Sequence, residues 1–342
     1  MIRQGAIARR LSAGVAALAM IGATCMAAPA AAQQAIDIRS QVISHFKVGS
    51  SETRFGAFEF VGGLELSSPS SALGAMSAIR LAPDRSRFLG VMDTGDWYAG
   101  RFLRSADGTL AGVADFSVSP ILDADGTASG EKWRFDAEGM ALRGDEVLVS
   151  FERSSRVDIY PAKAPAGAKP ISSLPLQIPL GEIRNNRGLE ALAVAPETSA
   201  LAGAVVAVTE RSLNAEGNIY AAILTGPSKG VFFVKRHAPY DVTDGDFLPN
   251  GDLLLLERRF SMAQGIGMRI RRIDGSRIGK GNLVDGPVIL EADFGNQIDN
   301  MEGLDVSTDD QGRVFVTLVS DDNHSILQRN LVLEFRYLGA GG

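Results

Sequence analysis

Five times along this chain an acidic or small polar residue opens an apolar stretch, a Pro/Asp/Gly turn follows, and a second apolar run ends on another carboxylate. The copies read GAMSAIRLAPDRSRFLGVMDTGDW from Gly74, DAEGMALRGDEVLVSFER from Asp136, GLEALAVAPETSALAGAVVAVTER from Gly188, DVTDGDFLPNGDLLLLERR from Asp241 and NMEGLDVSTDDQGRVFVTLVSDDN from Asn300. Their opening positions, Ser77, Glu138, Glu190, Asp244 and Glu302, are spaced by 61, 52, 54 and 58 residues. That is longer than the ~40–45 residues of one common propeller repeat and close to the ~50 of another. A two-strand unit returning at irregular intervals suits propeller blades joined by outer loops of variable length.

Each copy carries a hairpin signal. Asn250-Gly251 supplies residues that tolerate positive φ in a tight turn, and Leu253 to Leu256 then form a run too apolar for a strand with a solvated face. Between copies lie further strand-like pieces, such as Asn218 to Leu224 with Gly230 to Val234, and Met268 to Ile273 with Pro287 to Phe294. These complete about four strands per unit, the content of a propeller blade. Gln41 to Val48 and Phe55 to Leu66 precede the first copy, and Leu331 to Tyr337 follows the last. The reading is an all-β propeller of four-stranded antiparallel blades, six favoured over five, with the two chain ends paired to remove exposed edges. Few helices are expected.

Residues 1–32 read as a secretory signal: Arg3, Arg9 and Arg10 make a basic start, Leu11 to Thr24 an apolar middle, and Ala30-Ala31-Ala32 an A-x-A site before Gln33. The apolar stretch is shorter than the ~20 residues that span a bilayer, so no membrane span is expected. A single domain over 33–342, periplasmic or secreted and acting as a monomer, is the expectation. Arg9-Arg10 permits a twin-arginine route beside ordinary secretion. Cys25 is the one cysteine and leaves with the signal, which excludes disulfides, thiolate metal sites and a cysteine nucleophile from the remainder. Roughly 310 residues bury a large core without such staples. Loss of three arginines takes the formal charge from −6 to −9. An acidic chain without basic clusters is a poor match for nucleic acid, whose binding rests on phosphate neutralisation.

In a propeller, equivalent positions of successive blades converge around a channel. Glu138, Glu190 and Glu302, with Asp244 in less certain register, would then form a ring of like charges. Such a ring needs raised pKa values, basic partners or a bound cation. Calcium suits an all-oxygen ligand set; the alternative is that each carboxylate caps backbone N–H groups between blades. A second repeated position holds Asp93, Glu152, Glu210, Glu257 and Asp321, followed in three units by Arg153, Arg211 and Arg258, with Arg259 beside the last. These arginines either form salt bridges between blades or face the rim and hold an anionic substrate in a bidentate fork. Asn185, Asn186, Arg187, Asp322, Asn323 and His324 supply further polar groups, and His324 is either a hydrogen-bonded structural residue or a general base.

Other patterns fail. Gly226-Pro227-Ser228-Lys229-Gly230 matches G-x-S-x-G, but no helix is expected to follow it, so no nucleophile elbow is formed. Asp123-Ala124-Asp125-Gly126 with Glu131 lacks the full spacing of an EF-hand. Trp97, Tyr98 and Trp133 are expected to pack loops rather than stack ligands.

The strings DAEGM, GLEALAV, TDGDFLPNGDLLLLERR and NMEGLDV resemble the phytase-like family of exported bacterial proteins, described as having esterase-like activity of phytase, from about Phe60 to Tyr337. The resemblance implies a β-propeller related in shape to calcium-dependent phytases. Together with the charge ring it points to a metal-assisted hydrolase of a small anionic or ester substrate, such as a phosphomonoester. The alternatives are a lactonase-like ester hydrolase on the same fold and a non-enzymatic binding or scaffold propeller.

Overall fold

The inner hairpins form where the sequence repeats, because each copy has two apolar runs joined by a turn that can reverse the chain. In the fourth copy the reversal is a turn from Leu248 to Gly251, closed by Gly251 N–H donating to Leu248 O at 2.9 Å. Only Gly251 takes positive φ (91°), so Asn250 does not share that role as the tight-turn reading expected. Its side chain instead accepts from Asp252 N at 3.0 Å. The computed structural model describes residues 33–339 apart from 129–131 and 262–264. The expected signal over residues 1–32, including Cys25, lies outside the described residues, as does Glu131.

Five sheets result, antiparallel throughout except that the short outer strand Leu283–Val284 runs parallel to Gly230–Val234. Their innermost strands are Met76–Leu81, Ala137–Arg143, Leu189–Val194, Asp241–Phe247 and Asn300–Thr308. Each packs beside the next, and the fifth packs against the first, which closes a ring. The fold is a β-propeller of five blades. Five buried apolar clusters fill the wedges between neighbouring sheets, one for each pair. Among the described residues, helix is confined to Lys132–Phe135 and two 3-10 turns.

The sixth blade is not formed, and the reason is strand supply. The fifth copy has only Asn300–Thr308 and Val314–Asp321 before the chain reaches its last strand, Asn330–Tyr337. That strand leaves one edge open, and Phe58–Ser67 pairs with it, followed outward by Arg39–Ile43. The two chain ends therefore complete blade 5 instead of building a separate sheet. Pairing Leu66 with Asn330 and Phe58 with Tyr337 covers an edge that an open ring would expose.

Candidate metal centre

Every inner hairpin has a register irregularity close to its start. Unpaired residues fall at Ser77, at Glu138 and Gly139, at Glu190, at Thr243 and at Glu302. A bulge re-aims the side chain that it releases from the ladder. The sequence register is therefore right in four blades and displaced by one residue in the fourth. The displacement extends to the neighbouring strand. Asp93, Glu152 and Glu210 donate N–H to Ala75, Asp136 and Gly188, and Asp321 pairs with Asn300; in blade 4 the partner of Asp241 is Arg258, not Glu257. Arg258 thus stands where the other blades place a carboxylate, and Arg259 is the counterpart of Arg153 and Arg211.

The one-residue shift removes two acids from the ring. Glu257 is buried beneath it between Arg269 and Arg271, both at 2.5 Å. Asp244 lies within the ring of inner strands and is paired with Arg80 at 3.1 Å, the two side chains being 1% and 4% exposed. Arg80 also donates to the carbonyls of Ile79, Leu192, Leu304 and Gly245. It thereby joins blades 1, 3, 4 and 5 from the centre. Burial opposes its charge, but Asp244, Asp246 and Asp305 together outweigh that and raise its pKa. Asp244 itself is pushed up to about 6 by burial, against the pull of Arg80.

Near the bulges the carboxylates gather in two sets, Asp136 with Glu138 and Glu152, and Glu152 with Glu190 and Glu210. Within each set the candidate ligand oxygens lie within 4.8 Å of one another, and Glu152 belongs to both. Several members have partners. Asp136 meets Arg153 Nε at 2.7 Å, Glu210 meets Arg187 at 3.4 Å, and Glu152 Oε1 accepts from Gly188 N at 3.1 Å. Glu138 and Glu190 have no hydrogen-bond donor or salt-bridge partner among the described residues. Glu190 is 8% exposed, whereas Glu138 retains somewhat more contact with solvent.

The electrostatics follow from this crowding. Burial holds Glu138 and Glu190 well above the usual carboxylate range, and neighbouring acids, among them Glu152 and Glu302, add to the effect. Burial likewise lifts Glu152 to about 7, against the Gly188 N–H that stabilises its charge. Five oxygen-bearing side chains with no histidine or thiolate match a hard divalent cation such as calcium. Two of the five, Glu138 and Glu190, are without another partner among the described residues. The residues present therefore fit such an ion.

Glu302 lies outside both sets. It meets Arg258 at 3.1 Å and accepts from Asn300 Nδ2 at 2.9 Å, and burial raises it to about 7 despite Arg258. Arg258 also approaches Glu210 at 4.0 Å, bridging the two. Arg211 is committed to Asp241 at 3.0 Å. Asp321 keeps its ring position, accepts from Asn323 N at 2.6 Å and is raised to about 6 by burial. His324 is exposed on the adjoining loop, its N–H donating to Asp322 Oδ1 at 3.0 Å. Asp136 is the cluster carboxylate missing from the sequence reading of the site, although it opens the second copy two residues before Glu138.

The rejected motifs fall as expected. Gly226 to Lys229 form a turn leading into the strand Gly230–Val234. Asp123 spends its oxygens on Asp125 N, Thr127 N and Arg134. The aromatic residues differ from expectation: Trp97 and Tyr98 pack in the core from the strand Asp96–Arg104 rather than against loops, and Trp133 is exposed.

Residues 71–324 match the phytase-like family, described as esterase-like activity of phytase. The chain belongs to the phytase-like family. The matched span runs from the start of blade 1 through the inner hairpin of blade 5 and includes every carboxylate of the two sets. No curated protein matches this phytase-like chain. Among solved structures it is similar to the PQQ-bound aldose sugar dehydrogenase of Streptomyces coelicolor, at 12% identity and a TM-score of 0.41, over 88% of this chain and 99% of that one. It is also similar to hydrazine synthase of Kuenenia stuttgartiensis, at 12% identity and a TM-score of 0.35, over 82% of this chain and 60% of that one. Among the described residues no helix is long and apolar enough to cross a membrane.

Proposed function

We propose that this phytase-like protein is an exported, calcium-assisted hydrolase of a phosphomonoester or another small ester. The observation that carries the reading is the pair of Glu190, buried, and Glu138, half-buried, both without a donor among the described residues and linked through Glu152 into one run of oxygen ligands. Asp136, Glu138, Glu152, Glu190 and Glu210 would hold the cation. When bound, calcium offsets phosphate charge and polarises the ester.

The remaining work falls to the chain's own side chains. Arg258 sits where four other blades place acids, and its Nε has no partner among the described residues. Its planar fork orients an anionic group against the carboxylate cluster. Glu302, with a pKa of about 7, is suited to take a proton from the attacking water at neutral pH. The water oxygen bonds to phosphorus or the carbonyl carbon, the bond to the alcohol oxygen breaks, and Glu302 returns the proton to the leaving alcohol. Arg153 and Arg211 steady Asp136 and Asp241 instead.

The test is hydrolysis of phosphomonoesters and carboxylic esters by protein stripped with EDTA and then given calcium. Activity should vanish on stripping and return with calcium. Glu190→Gln should need at least tenfold more calcium for half activity, and Glu302→Gln should lower kcat with little change in KM. Activity indifferent to EDTA and to both variants would refute the reading. The export part rests on the order of basic, apolar and A-x-A segments before Gln33. N-terminal sequencing of periplasmic or secreted material should begin near Gln33, and a retained Met1 would contradict it.

A further inference from the structure

An open cleft of about 640 Å³ adjoins the carboxylate cluster, within the range of small-molecule sites. Its two ends differ in chemistry. Arg258 and Asn300 line the inner end, and both touch Glu302. Phe260, Phe294 and Leu327 line the outer part and are 70%, 66% and 87% exposed. Three large apolar side chains left in water around one cleft are a feature that soluble surfaces rarely keep without an occupant.

We infer that this cleft binds the apolar, aryl or branched-alkyl, alcohol part of an amphiphilic ester whose charged group lies against Arg258. The inference rests on the hydrolase reading above and narrows its substrate class. Charge complementarity fixes the direction of the occupant. The anionic end meets the guanidinium at the inner end, and the apolar end covers Phe260 and Leu327. A substrate charged on every side, such as a polyphosphorylated polyol, would set phosphates against Phe260 and Phe294, where they lose hydration; the cleft's other arginines, Arg259 and Arg329, already donate to Tyr240 and Gly265 and to Gln297 and Ile298.

The test uses calcium-loaded protein and matched probes. Binding of 2-phenylethylphosphonate and ethylphosphonate is measured by calorimetry, and hydrolysis of 2-phenylethyl phosphate and ethyl phosphate by alcohol release. The phenylethyl phosphonate should bind at least tenfold more tightly. The exposed-site variant Phe260→Ser/Leu327→Ser, checked by its melting temperature, should remove most of that preference by weakening the phenylethyl probe at least fivefold more than the ethyl one. Equal affinities, no binding of either probe, or a preference that survives in the variant overturns the inference. Preferential binding without turnover of any ester upholds the cleft and rejects the hydrolase. Turnover with equal kcat/KM for both phosphates does the reverse. A dimer by sedimentation that the variant dissolves would assign the cleft to a second copy of the chain and overturn the inference.

Discussion

Replacing Arg80 with Met tests whether the centre of the ring is held by one cation. Arg80 donates to four carbonyls and both oxygens of Asp244, and all of these belong to the inner strands of blades 1, 3, 4 and 5. Methionine keeps much of the volume and removes the charge. Leu304 N and Gly245 N still donate to Asp244, but its strongest counter-charge is gone. Breaking a buried pair from one side costs about 3–5 kcal/mol, because the other charge remains buried. The loss should also depend on pH. Asp244 in the folded protein is already raised to about 6 from an ordinary 3.8, with Arg80 holding it down. Without Arg80 it rises further, so the folded state binds its proton more tightly than the unfolded one. Stability from that proton is full below about pH 4 and is lost as pH rises through the new, higher folded value. Urea unfolding should therefore show the larger deficit at pH 8 and a smaller one at pH 5. Adding Asp244→Asn to Arg80→Met should recover part of the loss at pH 8, since no charge is then stranded. A single-variant deficit below about 1 kcal/mol, or one equal at both pH values, would refute the reasoning.

Metal-free protein should lose stability between about pH 5 and 8. Glu302, raised from 4.5 to about 7, favours the fold while protonated and gives up on the order of 3 kcal/mol as pH passes 7. Calcium should hence raise the melting temperature more at pH 8 than at pH 5, by roughly 5–10 °C at the higher value; an equal or absent shift would count against a cation at the cluster. Gly139→Ala should destabilise by at least about 2 kcal/mol, since its new methyl would fall 2.1 Å from Glu190 O. The same variant should weaken the calcium response by moving Glu138 away from Glu152, and an unperturbed melt with full calcium response would show that the contact is relieved without consequence.

The sequence makes the blade count and the site legible to different depths. Apolar runs and turns locate all five inner hairpins, because burial on both faces and chain reversal are local demands. Register in blade 4 is harder. DVTDGDF offers carboxylates at 241, 244 and 246, and Leu253 to Leu256 are buried on both faces, so no polar alternation marks which residue faces the ring. Arg258 consequently reads as the follower of a carboxylate when it occupies a carboxylate's place. Arg80 has a signal that is easy to pass over, a lone charge inside the otherwise apolar strand Met76–Leu81. What it binds comes from blades far away in sequence and has no local trace. The missing sixth blade is similar: strand number is visible, but only pairing between chain ends reveals that blade 5 consumes them.

That pairing places a clock on assembly. Leu66 waits for Asn330, 264 residues later in the chain. At a synthesis rate of about 5–20 residues per second, the strand Phe58–Ser67 spends roughly 13–50 s with one edge unpartnered while the strands of blades 1 to 4 are made. Contacts of such separation are also the slowest to form from a free chain, because loop closure must precede any return from them. Competition between folding and sticking to a neighbouring chain is therefore concentrated at a single event, the entry of Asn330–Tyr337 between Phe58–Ser67 and Val314–Asp321.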